Sequence, residues 1–235
     1  MVFPSSFTRG QAGIAINGLI WMGTAAFMRA QVRRRIEEGF RCIKLKVGGL
    51  DFELECGILR ELRRTFSPQS LEIRLDANGA FSMGDALQKL ALLSRFHVHS
   101  IEQPIKAGDE AHMAQLCAQT PLPIALDEEL IGKHSSQGRA ALLDQVRPQY
   151  IVLKPDLLGG FSACEDWICQ AEERRIGWWV TSVLESNVGL NAIAQWTYTL
   201  HNPLPQGLGT DSLFHNNIVR ALHMFCQAKK QSLNR

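Results

Sequence analysis

Short apolar runs that end in a charged residue recur along this chain at nearly constant spacing. Lys46, Asp76, Glu102, Asp127 and Lys154 each close such a run, and successive members stand 25 to 30 residues apart. One strand and one helix fill that interval, so the pattern predicts repeated βα units and a parallel sheet. Strands are expected at 14–21, 42–47, 72–76, 98–103, 124–127, 150–154, 178–183 and about 206–210. Helical patterns fall between them at 25–38, 51–66, 82–96, 111–119, 136–145, 161–175, 187–200 and 216–230. Ser82 reads as an N-cap, and Leu54, Ile58 and Leu62 as one apolar stripe. Regular units of this kind predict an α/β fold, a (β/α)7–8 barrel of the TIM type rather than a doubly wound sheet. The Gly-rich dinucleotide fingerprint is missing, and Gly132-Lys133 lacks the upstream glycine of a phosphate loop.

In a parallel barrel a polar residue at the carboxyl end of a strand points into the mouth. Lys44 and Lys46 are two apart and share one face of their strand. They face either the mouth or solvent on an edge strand. In the mouth, mutual repulsion and burial are expected to lower a lysine pKa and make a general base. The next three strands deliver Asp76, Glu102 and Asp127 in turn. A lone Asp there is an ordinary helix cap, but three in register suit a hard divalent cation. No His or Cys joins them, which favours Mg²⁺, with Mn²⁺ as a substitute, over Zn²⁺. Lys154 ends the sixth strand on the opposite side of the barrel from Lys46. Lysines flanking three carboxylates fit proton abstraction next to a carboxylate, the metal stabilising the enediolate.

Composition narrows the alternatives. Lys+Arg 25 against Asp+Glu 23 leaves a net +2, and no basic stripe suggests nucleic acid as a partner. The six cysteines form no C-x-x-C pair and read as reduced packing residues of a cytoplasmic protein. The uncharged stretch 10–28 resembles a signal h-region or a short membrane span, but Asn17 and Gly13, Gly18 and Gly23 interrupt it. A buried strand running into a helix explains it, with no membrane partner. The oligomeric state is not legible.

KLKVGG, RLDANGAF, SIEQPI, ALDEEL, VLKPDLLGGF and SVLESNVGLNAIAQW follow one another in this order. With the closing QGLGT and FHNNI they resemble the enolase superfamily, and within it the o-succinylbenzoate synthases of menaquinone biosynthesis, in the form found in Bacteroidetes-like bacteria. The resemblance implies a Mg²⁺-dependent syn dehydration of 2-succinyl-6-hydroxycyclohexa-2,4-diene-1-carboxylate, a small-molecule carboxylate. It makes Lys46 the base, Lys44 its partner, Lys154 the stabiliser on the opposite face, and Asp76, Glu102 and Asp127 the metal ligands. Asn78, Ser182 and Arg74 become candidate substrate contacts. Arg74 reads equally well as part of a structural ion pair and Ser182 as a turn-stabilising hydroxyl. Glu128 and Glu185 orient the lysines or cap helices. Trp21 and Met22 wall the pocket or pack in the core.

Superfamily members carry an N-terminal α+β capping domain that closes over the mouth. The sequence given begins close to the first barrel strand, so the reading is a barrel without that cap, 1–12 a residual linker and 13–235 the barrel domain. An uncapped site is open to water, where electrostatic stabilisation is weaker. Impaired activity, or an inactive truncated barrel, is one alternative. An N-succinylamino acid racemase or dipeptide epimerase on the same scaffold is another. Dipeptide epimerases usually show Asp-x-Asp where this chain has Gly207-Leu208-Gly209-Thr210.

Overall fold

The computed structural model describes residues 2–210. The helix expected at 216–230, Cys226 and the FHNNI segment lie outside them. Among the described residues seven strands form one parallel sheet in sequence order: β1 Gly18–Ile20, β2 Cys42–Lys46, β3 Glu72–Asp76, β4 Ser100–Glu102, β5 Ile124–Leu126, β6 Tyr150–Leu153 and β7 Gly177–Val180. The helices are α1 Ala25–Glu37, α2 Phe52–Thr65, α3 Ala86–Ser94, α4 Glu110–Gln119, α5 Ser136–Val146, α6 Pro155–Leu158, α7 Phe161–Glu173 and α8 Asn187–Thr199.

The eighth position closes the barrel without a full strand. Gln206 bridges in parallel to Ile16 before β1, and Gly207 to Thr181 after β7. A Cβ at Gly207 would stand 2.7 Å from the Thr181 Cβ, so this contact needs glycine. Closure by single bridges also explains why the first and eighth strands are shorter than the apolar runs predict.

Alternation divides the residues of each strand between two environments. Ile43, Leu45, Ile73, Leu75, Ile101, Ile151 and Leu153 join the continuous core under the helices. The interior holds a separate small apolar floor of Ala125, Val152 and Trp179. Lys44 and Lys46 face the interior, so β2 is not an edge strand with lysines in solvent.

Several local expectations are corrected. The buried stripe of α2 runs through Cys56, Ile58, Leu59 and Leu62, while Leu54 is exposed, because steps of four drift around a helix of 3.6 residues per turn. The third helix starts at Ala86 with Asp85 as its N-cap, and Ser82 Oγ donates to the Asp85 carboxylate at 2.8 Å. Four of the described cysteines are buried and free, but Cys169 is exposed. The segment expected to be a linker is docked. Phe7 is buried and stacks on Tyr198, and the backbone N–H groups of Val2 and Phe3 donate to Gln195 Oε1 of α8. The uncharged stretch carries β1 and the start of α1, and among the described residues no helix is long and apolar enough to cross a membrane.

Candidate active site

The parallel register stacks Lys46, Asp76 and Glu102 across β2, β3 and β4 at one level of the barrel. Asp127 follows β5 and Lys154 follows β6, so all five reach the carboxyl-terminal mouth. Asp76, Glu102 and Asp127 are each buried, and one oxygen from each lies within 4.8 Å of the others. Lys44 Nζ donates to Glu102 Oε2 at 2.7 Å and sits 3.3 Å from Asp76 Oδ2. Lys46 Nζ donates to Asp76 Oδ2 at 2.7 Å and to Asn78 Oδ1 at 2.6 Å. Lys154 Nζ donates to Asp127 Oδ2.

The electrostatics correct one expectation. Burial pulls the Lys44 ammonium down, but Glu102 and Asp76 outweigh it and hold its pKa above the ordinary value. Two lysines on one face do not simply repel when carboxylates stand between them. Burial would raise the Asp76 carboxyl, yet Lys44 and Lys46 hold it well below the usual range. Burial pushes Glu102 up to about 8, the neighbouring Asp76 and Asp127 adding to the rise against the pull of Lys44. Burial also raises Asp127.

These carboxylates fit a hard divalent cation. Glu102 Oε1 is buried with no hydrogen-bond partner, a costly state for a carboxylate oxygen unless a cation takes its lone pairs. The donor set is all oxygen and anionic, as Mg²⁺ prefers.

An open cavity of about 260 Å³ lies over the site, lined among others by Trp21, Lys44, Lys46, Asp76, Lys154 and Ser182. Trp21 is thus a wall residue, and Met22 is exposed rather than core. Asn78 is engaged at both ends of its amide: Oδ1 accepts from Lys46 and Nδ2 donates to Glu128 Oε1 at 2.9 Å. Ser182 Oγ donates to Glu185 Oε2 at 2.5 Å and accepts from Thr210 Oγ1 and the Leu184 N–H. Its hydroxyl therefore braces a turn as well as bordering the cavity, and Glu185 caps that turn at the Val183 N–H rather than meeting a lysine.

Of the two readings of Arg74, the structure shows the ion pair. The residue lies one layer below the mouth, has no exposed surface, and is bound by Glu72 at 2.7 Å and the Pro205 carbonyl at 2.8 Å, with its guanidinium 4.2 Å above the Trp179 ring. Alternation puts it on the same face as Asp76, but two residues too early to reach the cavity. Sequence reasoning also missed Gln103 and Glu129. Both are buried, and the Gln103 amide donates to Glu129 Oε2 at 3.0 Å. Their only signal was position, each within two residues of a carboxylate already singled out.

Residues 27–224 match the family described as enolase C-terminal domain-like. The chain belongs to that family. Its barrel is 58% identical over 92% of the chain to an o-succinylbenzoate synthase of Desulfotalea psychrophila, of which it spans 58%. It superposes on the crystal structure of MenC from Desulfotalea psychrophila LSv54 with a TM-score of 0.86 at 57% identity, covering 92% of this chain and 60% of that one. An N-succinylamino acid racemase of Thermus thermophilus is 35% identical over 67% of the chain and 40% of its own length. Within the enolase C-terminal domain-like family, then, the chain spans less than two thirds of each of these relatives.

Proposed function

We propose that this chain is the catalytic barrel of an o-succinylbenzoate synthase, removing water from 2-succinyl-6-hydroxycyclohexa-2,4-diene-1-carboxylate in menaquinone synthesis. The observation that carries the reading is the pairing of Lys46 and Lys154 on the same cavity, above three buried carboxylates. The 58% identity to a relative of that name supports it.

Asp76, Glu102 and Asp127 would hold Mg²⁺, or Mn²⁺ in its place. Bound there, the cation would supply positive charge against the charge that develops on the substrate carboxylate. Lys46 is the base for the proton alpha to that carboxylate. Asn78 and Asp76 fix the direction of its Nζ. Lys44 holds Glu102 in place and contributes positive charge beside the carboxylate. Lys154 stabilises the electron-rich ring from the opposite wall. The hydroxyl leaves on the face from which the proton was taken, so Lys46 returns that proton to it and the products are the aromatic diacid and water. Ser182, at the cavity wall, is the proposed contact for the succinyl side chain.

A second reading has one observation in its favour. Lysines on opposite walls also suit racemisation of an N-succinylamino acid, with one base per face, and a 35% identical relative bears that name. The absence of Asp-x-Asp at Gly207–Thr210 disfavours a dipeptide epimerase.

The test is turnover of the cyclohexadiene carboxylate by purified protein with Mg²⁺ and with EDTA, beside Lys46→Ala. Turnover is expected to need the metal and to fall by about 10³-fold without the lysine, the scale of general acid–base catalysis. A folded, Mg²⁺-binding chain that does not turn over overturns the assignment of dehydration to this barrel. Deuterium exchange into an N-succinylamino acid without dehydration favours the racemase.

A further inference from the structure

Gln103 follows the carboxylate Glu102 and has no exposed surface. Its φ is 38°, in the left-handed region that residues other than glycine rarely occupy. Such a conformation persists only where the surroundings over-determine it, and here every polar group of the residue is spent. Its backbone N–H donates to the Ala125 carbonyl at 3.0 Å and its carbonyl accepts from the Gly79 N–H at 2.7 Å. Its side-chain Nε2 donates to the Ile105 carbonyl and to Glu129 Oε2, both at 3.0 Å. Its Oε1 accepts from the Asp127 N–H at 3.2 Å and the Glu129 N–H at 3.3 Å. Glu129 is itself fixed by the Gly108 N–H at 2.9 Å. One residue thus touches the backbone that follows Asp76, the backbone that carries Glu102 and the backbone that carries Asp127.

The bonds at Oε1 explain a local anomaly. Asp127 is the N-cap of the 3₁₀ turn Glu128–Leu130, yet its side chain makes no capping bond. An N-cap aspartate normally accepts from the N–H two or three positions on. Here Gln103 Oε1 takes the Glu129 N–H instead. The capping task is transferred to another strand, and the Asp127 carboxylate stays turned toward Asp76 and Glu102.

We propose that Gln103 is a positioning residue that sets the three carboxylates for a divalent cation, by capping the turn that Asp127 would otherwise cap. The inference rests on the metal-site reading above. In the absence of Gln103 the Glu129 N–H and the cation compete for the Asp127 carboxylate.

Mn²⁺ titration of the full chain, followed by the free-ion paramagnetic resonance signal, tests it alongside thermal unfolding. Gln103→Met keeps the volume and removes the acceptor. Its Mn²⁺ affinity is expected to fall about 10- to 100-fold, the usual cost of losing a residue that orients metal ligands. Gln149→Met is the control. Gln149 ties β5 to α4 at the other end of the barrel, its Oε1 accepting from Ile124 N at 2.9 Å and its Nε2 donating to Cys117 O at 3.3 Å. That variant should lose stability and keep its Mn²⁺ affinity. The exchange Gln103→Glu with Glu129→Gln restores an acceptor at 103 and a donor at 129, so its affinity should stay within about threefold of wild type. If Gln103→Met does not fold, the exchange variant decides: folded, with affinity reduced more than about tenfold, it overturns the inference. Wild-type affinity in folded Gln103→Met, or an equal loss in Gln149→Met, also overturns it. A wild-type chain that binds no Mn²⁺ overturns the metal-site reading itself, and this inference with it.

Discussion

Arg74 and Glu102 sit on neighbouring strands, one interior layer apart, and neither exposes surface to solvent. Arg74 is surrounded by fixed partners: the Glu72 carboxylate, a backbone carbonyl and the face of Trp179. Glu102 has Lys44 on one oxygen and no hydrogen-bond donor on the other. The lower charge has a carboxylate partner and a stacked ring, although its Nη2 is buried without a hydrogen-bond partner. The upper one belongs to a set of three carboxylates whose pKa values are pulled in different directions and which converge on one point. Buried charge is a poor guide to function by itself. One unsatisfied atom is no better, since both residues have one; like charges converging beside a cavity are a better guide.

Substitutions at the two levels should separate these roles, and the mouth should show the larger effect on ligand binding. Glu102→Gln removes one of three anionic ligands, so Mn²⁺ affinity should fall by about 100-fold or more, since affinity for a hard cation follows ligand charge. Thermal stability without metal should change little, because Lys44 retains Asp76 at 3.3 Å. Isothermal titration and a melting curve on the same sample check both halves. Loss of stability with metal affinity intact would reverse the assignment of the two levels.

Arg74→Met should behave in the opposite sense. It leaves the partly exposed Glu72 without its cation and removes the group stacked on Trp179, and losing a hydrogen bond to a charged group costs about 2 kcal/mol. Metal affinity should be retained in the folded fraction. A large loss of affinity at unchanged stability would mean that Arg74 belongs to the mouth after all.

The same two residues mark how far the sequence could be read. The spacing of Lys46, Asp76, Glu102, Asp127 and Lys154 was legible because strand ends are where apolar alternation stops, and a charge there is conspicuous. The inward face of Arg74 was legible too, but its depth was not. Period-two alternation reports which side of a sheet a residue faces and not how far along the barrel axis it lies. Gln103 was not legible at all, since its function depends on a left-handed backbone and on N–H groups 24 and 26 positions away in the chain. The strand expected at 206–210 put closure in the right place, but its reduction to single bridges at Gln206 and Gly207 was not legible, because only the neighbouring strands define it.

The smallest expected effect lies at the lower level and concerns pH. His99 packs against Tyr150, with ring centroids 4.9 Å apart, and its Nδ1 lies 2.9 Å from Ser100 Oγ. Burial lowers its imidazole pKa below the ordinary value; Glu72 opposes the shift and Arg74 reinforces it. The folded chain therefore holds His99 neutral at a pH where the unfolded chain, with an ordinary value near 6.5, already takes up a proton. Stability contributed by the neutral ring is present above about pH 6.5 and is lost as the pH falls through the unfolded value toward the folded one. His99→Gln removes this linkage, so the variant's melting temperature should fall less steeply than that of the wild type between pH 7 and pH 5. Because the ring lies below the site, metal affinity at neutral pH should not change. Parallel slopes for the two proteins would show that the lower layer accommodates a charged imidazole beside Arg74. The contrast between a level where opposite charges are paired and a level where three carboxylates converge would then weaken.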